Sequence, residues 1–332
     1  MLKTINVWLR NARAHALPQS MLPSALALCL AAFQPGFSLA LGLLGMLGVM
    51  LGHLGLNLMD DYFDYRKEKT DYRETMAHEG FRARIGKCHY LTDGSTTLKQ
   101  LGLVALGFCT AALLIGVLLI IMRGTVLLWI ALAAVVLGFS YSGVPLRLSY
   151  HGLGELTICI IFGPLNMLGV YFAACSTYTP LILFVSIPVG LLVAGIVYVH
   201  SILDFEPDKK INKRTMAVLL DNRTAMLAVL SFVLFAPFLI IALAIGFQVL
   251  SLHYLAVFLT LPLATALFYL MLAYVRDPNR AFARRLWMGP MARWEQLKKG
   301  GIDWFMLRWY LARNLLSAFC FIAILTTFAV QL

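Results

Sequence analysis

The sequence predicts an all-α fold: a polytopic membrane protein of nine transmembrane helices around a central cavity, with the N-terminus cytoplasmic. Three observations lead there. The 332 residues are 61% hydrophobic and only 13% charged, with a mean hydropathy of +0.81, too apolar for a soluble chain of this size. The apolar residues gather into stretches close to the ~20 needed to cross a hydrocarbon core. The basic residues fall almost wholly on one side of the topology those stretches define.

In order, the spans are expected at 17–35, 38–60, 98–121, 124–142, 153–173, 179–203, 224–246, 253–275 and 308–330. The first lies behind a polar stretch with Arg10, Asn11, Arg13 and His15, so it reads as a retained helix and not as a leader. The second ends in a run of acids. The third and fourth are joined by a short link at 122–123, the fifth carries Pro164 and Asn166, and the sixth runs into a second acidic run. Short links at 174–178 and 247–252 follow the fifth and seventh spans. Segments 61–97, 204–223 and 276–307 are long and polar, which puts the machinery on their side of the membrane.

With the N-terminus inside, the inner segments hold Lys3, Arg10, Arg13, eight basic residues from Arg66 to Lys99, Arg147, five from Lys209 to Arg223 and eight from Arg276 to Arg308. Arg123 alone falls outside, and Arg313 lies within the last span. A formal net charge of +11 thus belongs to one face, where anionic headgroups contribute roughly 1 kcal/mol per basic residue. This favours membrane lipids as partners and argues against nucleic acid, since no separate basic domain exists. The six cysteines are scattered without CxxC spacing, which argues against structural zinc and a disulfide framework.

The chain reads as one domain over 1–332. Two four-helix halves, about 17–142 and 153–275, are followed by a ninth helix at 308–330, since the acidic runs occupy corresponding places after spans two and six. In 276–307, Trp287 and Trp294 lie among Arg284, Arg285, Arg293, Lys298 and Lys299, the composition of an interfacial segment.

Chemistry concentrates in the acidic runs. His53, Asn57, Asp60, Asp61 and Asp64 recur at helical spacings of three and four, and so form one stripe. Asp204 and Asp208 are i, i+4 neighbours after Tyr198, His200 and Ser201, with Pro207 between them and the basic run from Lys209 to Arg214 beyond. Ionised carboxylates at a bilayer rim are costly unless paired or metal-bound. Magnesium takes one or two protein carboxylates and fills its remaining positions with water and phosphate oxygens. Carboxylates with cations beside them are what a diphosphate leaving group requires.

These runs resemble the motifs of the UbiA superfamily of intramembrane prenyltransferases. Asp60-Asp-Tyr-Phe-Asp64 is similar to the family's first motif, NDxxD with a further Asp, here Asp71; Asp204-Phe-Glu-Pro-Asp208 is similar to its DxxxD second. Three stretches resemble the menaquinone branch: Ala12 to Ser20, Tyr141 to Pro164 with Gly152-Leu-Gly-Glu155, and Asn212 to Leu219. The chain departs from the family where Asp60 replaces the usual Asn, with Asn57 one turn earlier, and where Leu203 stands for a common Arg.

The resemblance implies magnesium-dependent transfer of a polyprenyl group from an allylic diphosphate to an aromatic acceptor, with 1,4-dihydroxy-2-naphthoate as the expected acceptor. Asp61 and Asp64 would hold one Mg2+ and Asp204 and Asp208 another, with Asp60 or Asn57 completing the set. Arg66, Arg147, Lys209 and Lys213 are the candidates to bind the diphosphate, with Tyr141 beside them. Asn166, His53, Tyr198 and His200 are the candidates to line the acceptor or the cation. The expected location is the inner membrane, with the site facing the cytoplasm. Alternatives are another acceptor, such as 4-hydroxybenzoate, homogentisate, haem or a glycerol lipid, and a cation-coupled transporter. A transporter would place its ionisable groups near the midplane instead of gathering them at one rim.

Overall fold

The computed structural model describes residues 2–68 and 88–330. Asp71 and most of the first polar segment, from 69 to 87, lie outside the described residues. The elements are α1 (Leu2–Asn11), α2 (Pro18–Ala31), α3 (Leu39–Glu68), α4 (Leu98–Arg123), α5 (Val126–Ser142), α6 (Gly154–Cys175), α7 (Pro180–Leu203), α8 (Arg223–Gly246), α9 (Leu252–Arg276) and α10 (Asp303–Ala329). Among the described residues no strand forms. One isolated bridge, His151 with Arg214, ties the α5–α6 loop to the segment after α7.

Among the described residues seven helices, α3, α4 and α6 to α10, are long and apolar enough to span a bilayer. The expected first and fourth spans form shorter helices. α2 has 14 residues, about 21 Å at ~1.5 Å per residue, because Pro35 and Gly36 end the apolar run in a turn where Gly36 adopts φ +73°. α5 has 17 residues and stops at Gly143, two residues before Pro145.

The helices also depart from the expected boundaries at functional places. α3 continues to Glu68, so Asp61, Asp64 and Arg66 stand on a helix and not in a loop. The segment after α7 contains two short helices, Phe205–Lys210 and Met216–Leu220. α10 begins at Asp303, five residues before the expected 308. Inside α6 a π turn spans Ile161–Leu165, where Pro164 has no N–H to continue the regular ladder.

Glycines set how closely α3 packs. A Cβ at Gly48 would lie 3.0 Å from Ile115 Cγ2, and one at Gly55 would lie 2.6 Å from Cys109 Sγ, so α4 lies almost directly on the α3 backbone. At the π turn, a Cβ on Gly163 would lie 2.5 Å from Ser186 O. That contact holds α6 against α7, the most enclosed of the spans, whereas α4 is the least enclosed. α2 packs on α3, α6, α7 and α10, which makes it a protein-surrounded helix at the centre of the bundle.

Candidate functional site

α3 and α7 both end on the same side of the bundle and deliver their acids to a single cavity of about 720 Å³. Asn57, Asp60 and Asp61 line it from α3, and Asp204 and Asp208 from the end of α7. Two carboxylate groups more than a hundred residues apart in sequence therefore face one space. Further in, the wall becomes apolar, with Leu56, Ile158, Ile161, Phe162 and Ile196.

The first cluster is heavily braced. Arg13 pairs with Asp61, which is 2% exposed, and with Asp60 Oδ2 at 3.2 Å, and also donates to Asn57 O at 3.1 Å. Burial alone would lower the Arg13 pKa, but Asp61 and Asp60 beside it hold it raised. The Tyr90 hydroxyl donates to Asp61 Oδ2 at 2.8 Å, and Ser142 Oγ donates to Asp60 Oδ1. Burial, with the charge of Asp61 added, pushes the Tyr90 phenol above its usual range, so it stays a donor. Asn57 Nδ2 donates to Ala12 O at 3.0 Å, pinning the segment before α2 over the end of α3.

Asp64 is turned to a different partner. The Tyr150 hydroxyl donates to its Oδ1 at 2.8 Å. The ring of Tyr150 meets the Arg147 guanidinium at 5.0 Å and the Lys213 ammonium at 5.2 Å. One buried tyrosine thus gathers a carboxylate and two cations from three chain segments. Asp204 and Asp208 are each 3% exposed. Asp208 N donates to Asp204 O, and Lys213 N donates to Asp208 O, so a tight backbone turn sets this cluster. Glu155 lies alongside, its Oε1 accepting a hydrogen bond from Ser201 Oγ.

The expected site residues divide by geometry. Asn57, Asp60, Asp61, Asp204, Asp208, Lys213, Tyr141, His53 and His200 line the cavity. Asp64 and Arg147 stand beside it around Tyr150. Four others are placed elsewhere. Lys209 pairs with Asp221 at 2.8 Å, Arg66 is exposed, Tyr198 donates to Met226 O at 3.1 Å, and Asn166 bonds Ser24 Oγ and Ser20 O. Lys209 turns away because Asp221 follows the short helix Met216–Leu220 and folds back on it. Tyr198 faces α8 because α7 is enclosed on several sides.

Several lining residues carried no assigned role in the sequence reading: Arg13, Tyr90, Ser142, Glu155, Phe305 and Trp309. His200 stacks on Trp309, with centroids 6.3 Å apart, and lies 5.1 Å from the Phe305 ring, so α10 supplies an aromatic wall. The signal for Arg13 was its place in a motif-like stretch; Phe305 and Trp309 had none, since tryptophans near a membrane rim are common.

Among the described residues no three His, Cys, Asp or Glu side chains gather closely enough to hold an ion alone. That donor set fits magnesium, which needs only one or two carboxylates per ion when a phosphate supplies further oxygens.

A helical bundle with an acid-rimmed, apolar-walled cavity at one end defines the class: a multi-pass membrane protein whose cavity gathers carboxylates beside an apolar wall. The UbiA prenyltransferase family matches residues 20–294, and the chain belongs to it. It is 29% identical over 214 residues to the 1,4-dihydroxy-2-naphthoate octaprenyltransferase of Bacillus subtilis (strain 168), covering 64% of this chain and 66% of that one. To the protein of the same name from Escherichia coli (strain K12) it is 25% identical over 234 residues, covering 66% and 70%. The chain thus spans about two thirds of the length of these relatives. The fold is shared with a UbiA homolog from Archaeoglobus fulgidus solved bound to GPP and Mg2+, at a TM-score of 0.59 and 16% identity over 96% of this chain and 99% of that one. A digeranylgeranylglyceryl phosphate synthase structure aligns at a TM-score of 0.60 and 14% identity over 99% and 100%.

Proposed function

We propose that this protein transfers a polyprenyl group from an allylic diphosphate to an aromatic acceptor, 1,4-dihydroxy-2-naphthoate, in menaquinone biosynthesis. The observation that carries the reading is the meeting of two remote acidic clusters on one cavity whose inner wall is apolar. The names of the relatives support the acceptor, and family membership sets aside the transporter alternative.

Asp61 and Asp64 would hold one magnesium ion and Asp204 and Asp208 a second, with Asp60 and Asn57 adjacent. Bound there, the ions would supply Lewis-acid stabilisation of the departing diphosphate. Arg147 and Lys213, both against the Tyr150 ring, are the cations we assign to neutralising the same charge. The apolar inner wall would exclude water that would otherwise quench an allylic cation, and Phe305, Trp309 and Tyr141 line the same cavity. We further assign α2 and α5 as membrane crossings, which makes nine with the seven long helices. We place the N-terminus and cavity rim on the cytoplasmic face of an inner membrane, an orientation that the distribution of Lys and Arg supports.

The test is product analysis. Membranes containing the protein, given labelled polyprenyl diphosphate with each acceptor in turn, should yield a prenylated naphthoquinol precursor only with dihydroxynaphthoate, and none after EDTA. Prenylation of 4-hydroxybenzoate or homogentisate in its place would reassign the acceptor. Turnover indifferent to chelation would overturn the role given to the carboxylates.

A further inference from the structure

The connection between α9 and α10 runs from Arg276 to Asp303, and its middle folds back along both helices. Phe282 meets Tyr269 edge-to-face at 5.9 Å, and Arg280 Nη2 donates to the Tyr269 hydroxyl at 3.4 Å. Tyr269 stands seven residues before the end of α9, about 10 Å along its axis. Asn314, eleven residues into α10, donates from Nδ2 to Met288 O at 2.8 Å and to Pro290 O at 3.1 Å. That contact lies about 16 Å from the start of α10. Since α9 and α10 are both long and apolar enough to span a bilayer, the connection lies against the flanks of two spans.

The part of it that touches Asn314 is firmly clamped. Leu286–Met288 form a single 3-10 turn, and Gly289 follows at φ +88°. A Cβ at Gly289 would lie 2.8 Å from Asn314 Nδ2. The Tyr310 hydroxyl donates to Ala292 O at 3.0 Å, and Arg313 Nη2 donates to Pro290 O at 3.3 Å. Met288 and Met291 are buried in the core, whereas Leu286 and Trp287 on the same turn are 89% and 55% exposed. A large apolar pair held out by a fixed turn calls for an apolar neighbour. Arg284 and Arg285 precede the pair and are exposed, with Arg284 Cζ 5.9 Å from the centre of the Trp294 ring. Among the described residues neither arginine pairs with a carboxylate. From 276 to 303 the chain holds seven basic residues and three acidic ones.

We propose that this turn is a binding site for an anionic phospholipid, with Arg284 and Arg285 against the headgroup phosphate and Leu286 and Trp287 among the acyl chains. Composition alone makes 276–307 an interfacial segment; the clamped turn adds a fixed place and a class of ligand. Arginine presents paired donors to a phosphate, and tryptophan suits the level where headgroups meet hydrocarbon. The excess of positive charge selects an anionic lipid over a zwitterionic one. A second copy of the chain would cover the same Leu–Trp pair, but it would bring its own basic segment against this one, and like charges facing each other are costly. The site is independent of the reaction proposed above.

The experiment uses the full chain in phosphatidylcholine nanodiscs containing a minor fraction of phosphatidylglycerol, with brominated acyl chains on one lipid or the other. Bromine quenches tryptophan at contact, and subtracting the emission of Trp287→Phe isolates Trp287. Brominated phosphatidylglycerol is expected to quench Trp287 more strongly than brominated phosphatidylcholine at the same mole fraction. The variant Arg284→Gln/Arg285→Gln should need about 30-fold more phosphatidylglycerol for half-quenching, the effect of losing two basic residues at a membrane surface. Its thermal midpoint should not change, because both side chains are exposed. Equal quenching by the two lipids in wild type would overturn the proposal whatever the variant does. So would a headgroup preference that persists undiminished in the variant. A Trp287 that neither lipid quenches would also overturn it, and two copies per particle would then assign the turn to a contact between chains.

Discussion

The two acidic clusters reach the same cavity by opposite constructions. Asp60, Asp61 and Asp64 lie on an unbroken helix and are positioned by side chains from elsewhere: Arg13, Tyr90, Ser142 and Tyr150. Asp204 and Asp208 lie where a helix breaks and are positioned by their own backbone, through the Asp208 N to Asp204 O and Lys213 N to Asp208 O bonds. The first cluster depends on distant chain segments arriving correctly, whereas the second is largely set within ten residues. Loss of a brace should therefore disturb the first cluster and spare the second.

The largest effect should come from the carboxylates themselves. Asp61→Ala and Asp204→Ala are each expected to reduce turnover by roughly 10³-fold, the scale of losing a main electrostatic stabiliser, as read in the prenylation assay with saturating magnesium. If only one of them does so, the clusters are unequal in chemistry as well as in construction.

Arg13→Ala should come next, because it leaves Asp61 buried without its cation. Breaking a buried pair costs about 3 kcal/mol, to be read as lowered unfolding stability in detergent. The double variant Arg13→Ala/Asp61→Asn should recover most of that loss, since it removes the stranded charge. Equal destabilisation in the single and double variants would show that Arg13 contributes by packing and not by charge.

The end of the bundle away from the cavity sharpens the contrast. Arg123, the basic residue expected on that side, donates to Ala173 O at 2.9 Å, Ala174 O at 2.8 Å and Gly36 O at 3.3 Å. It satisfies carbonyls at the C-terminal end of α6, where a cation also meets the negative end of the helix dipole. Arg123→Ala should cost about 1–2 kcal/mol of stability with kcat unchanged. A fall in kcat would mean that the far end of the bundle is coupled to the cavity.

The smallest effect should be Tyr90→Phe, which removes one of the hydrogen bonds to Asp61. It should lower stability by about 1 kcal/mol and weaken magnesium binding measurably by calorimetry. A matching Ser201→Ala change beside the second cluster should leave magnesium binding at the first unaltered.

Much of the fold was legible because a membrane imposes period, length and charge asymmetry on a sequence. The spans expected at 98–121 and 179–203 coincide closely with α4 and α7. Misjudged boundaries share a cause. Hydropathy marks where a chain stops being apolar, not where its helix stops, so α3 runs eight residues past the expected 60 and α10 starts five early. The glycines of α3 gain their meaning only from packing: Gly48 and Gly55 admit α4.

By itself, then, the sequence determined the helical membrane architecture and the two acidic clusters, because each follows from local composition and spacing. Tertiary structure decided that the clusters face one cavity, that Arg13 and Tyr90 serve the first, that Tyr150 gathers Asp64 with Arg147 and Lys213, and that Lys209, Tyr198 and Asn166 turn elsewhere. Those outcomes depend on contacts between residues tens to hundreds of positions apart. No periodicity encodes such contacts; only the packing of helices against one another selects them.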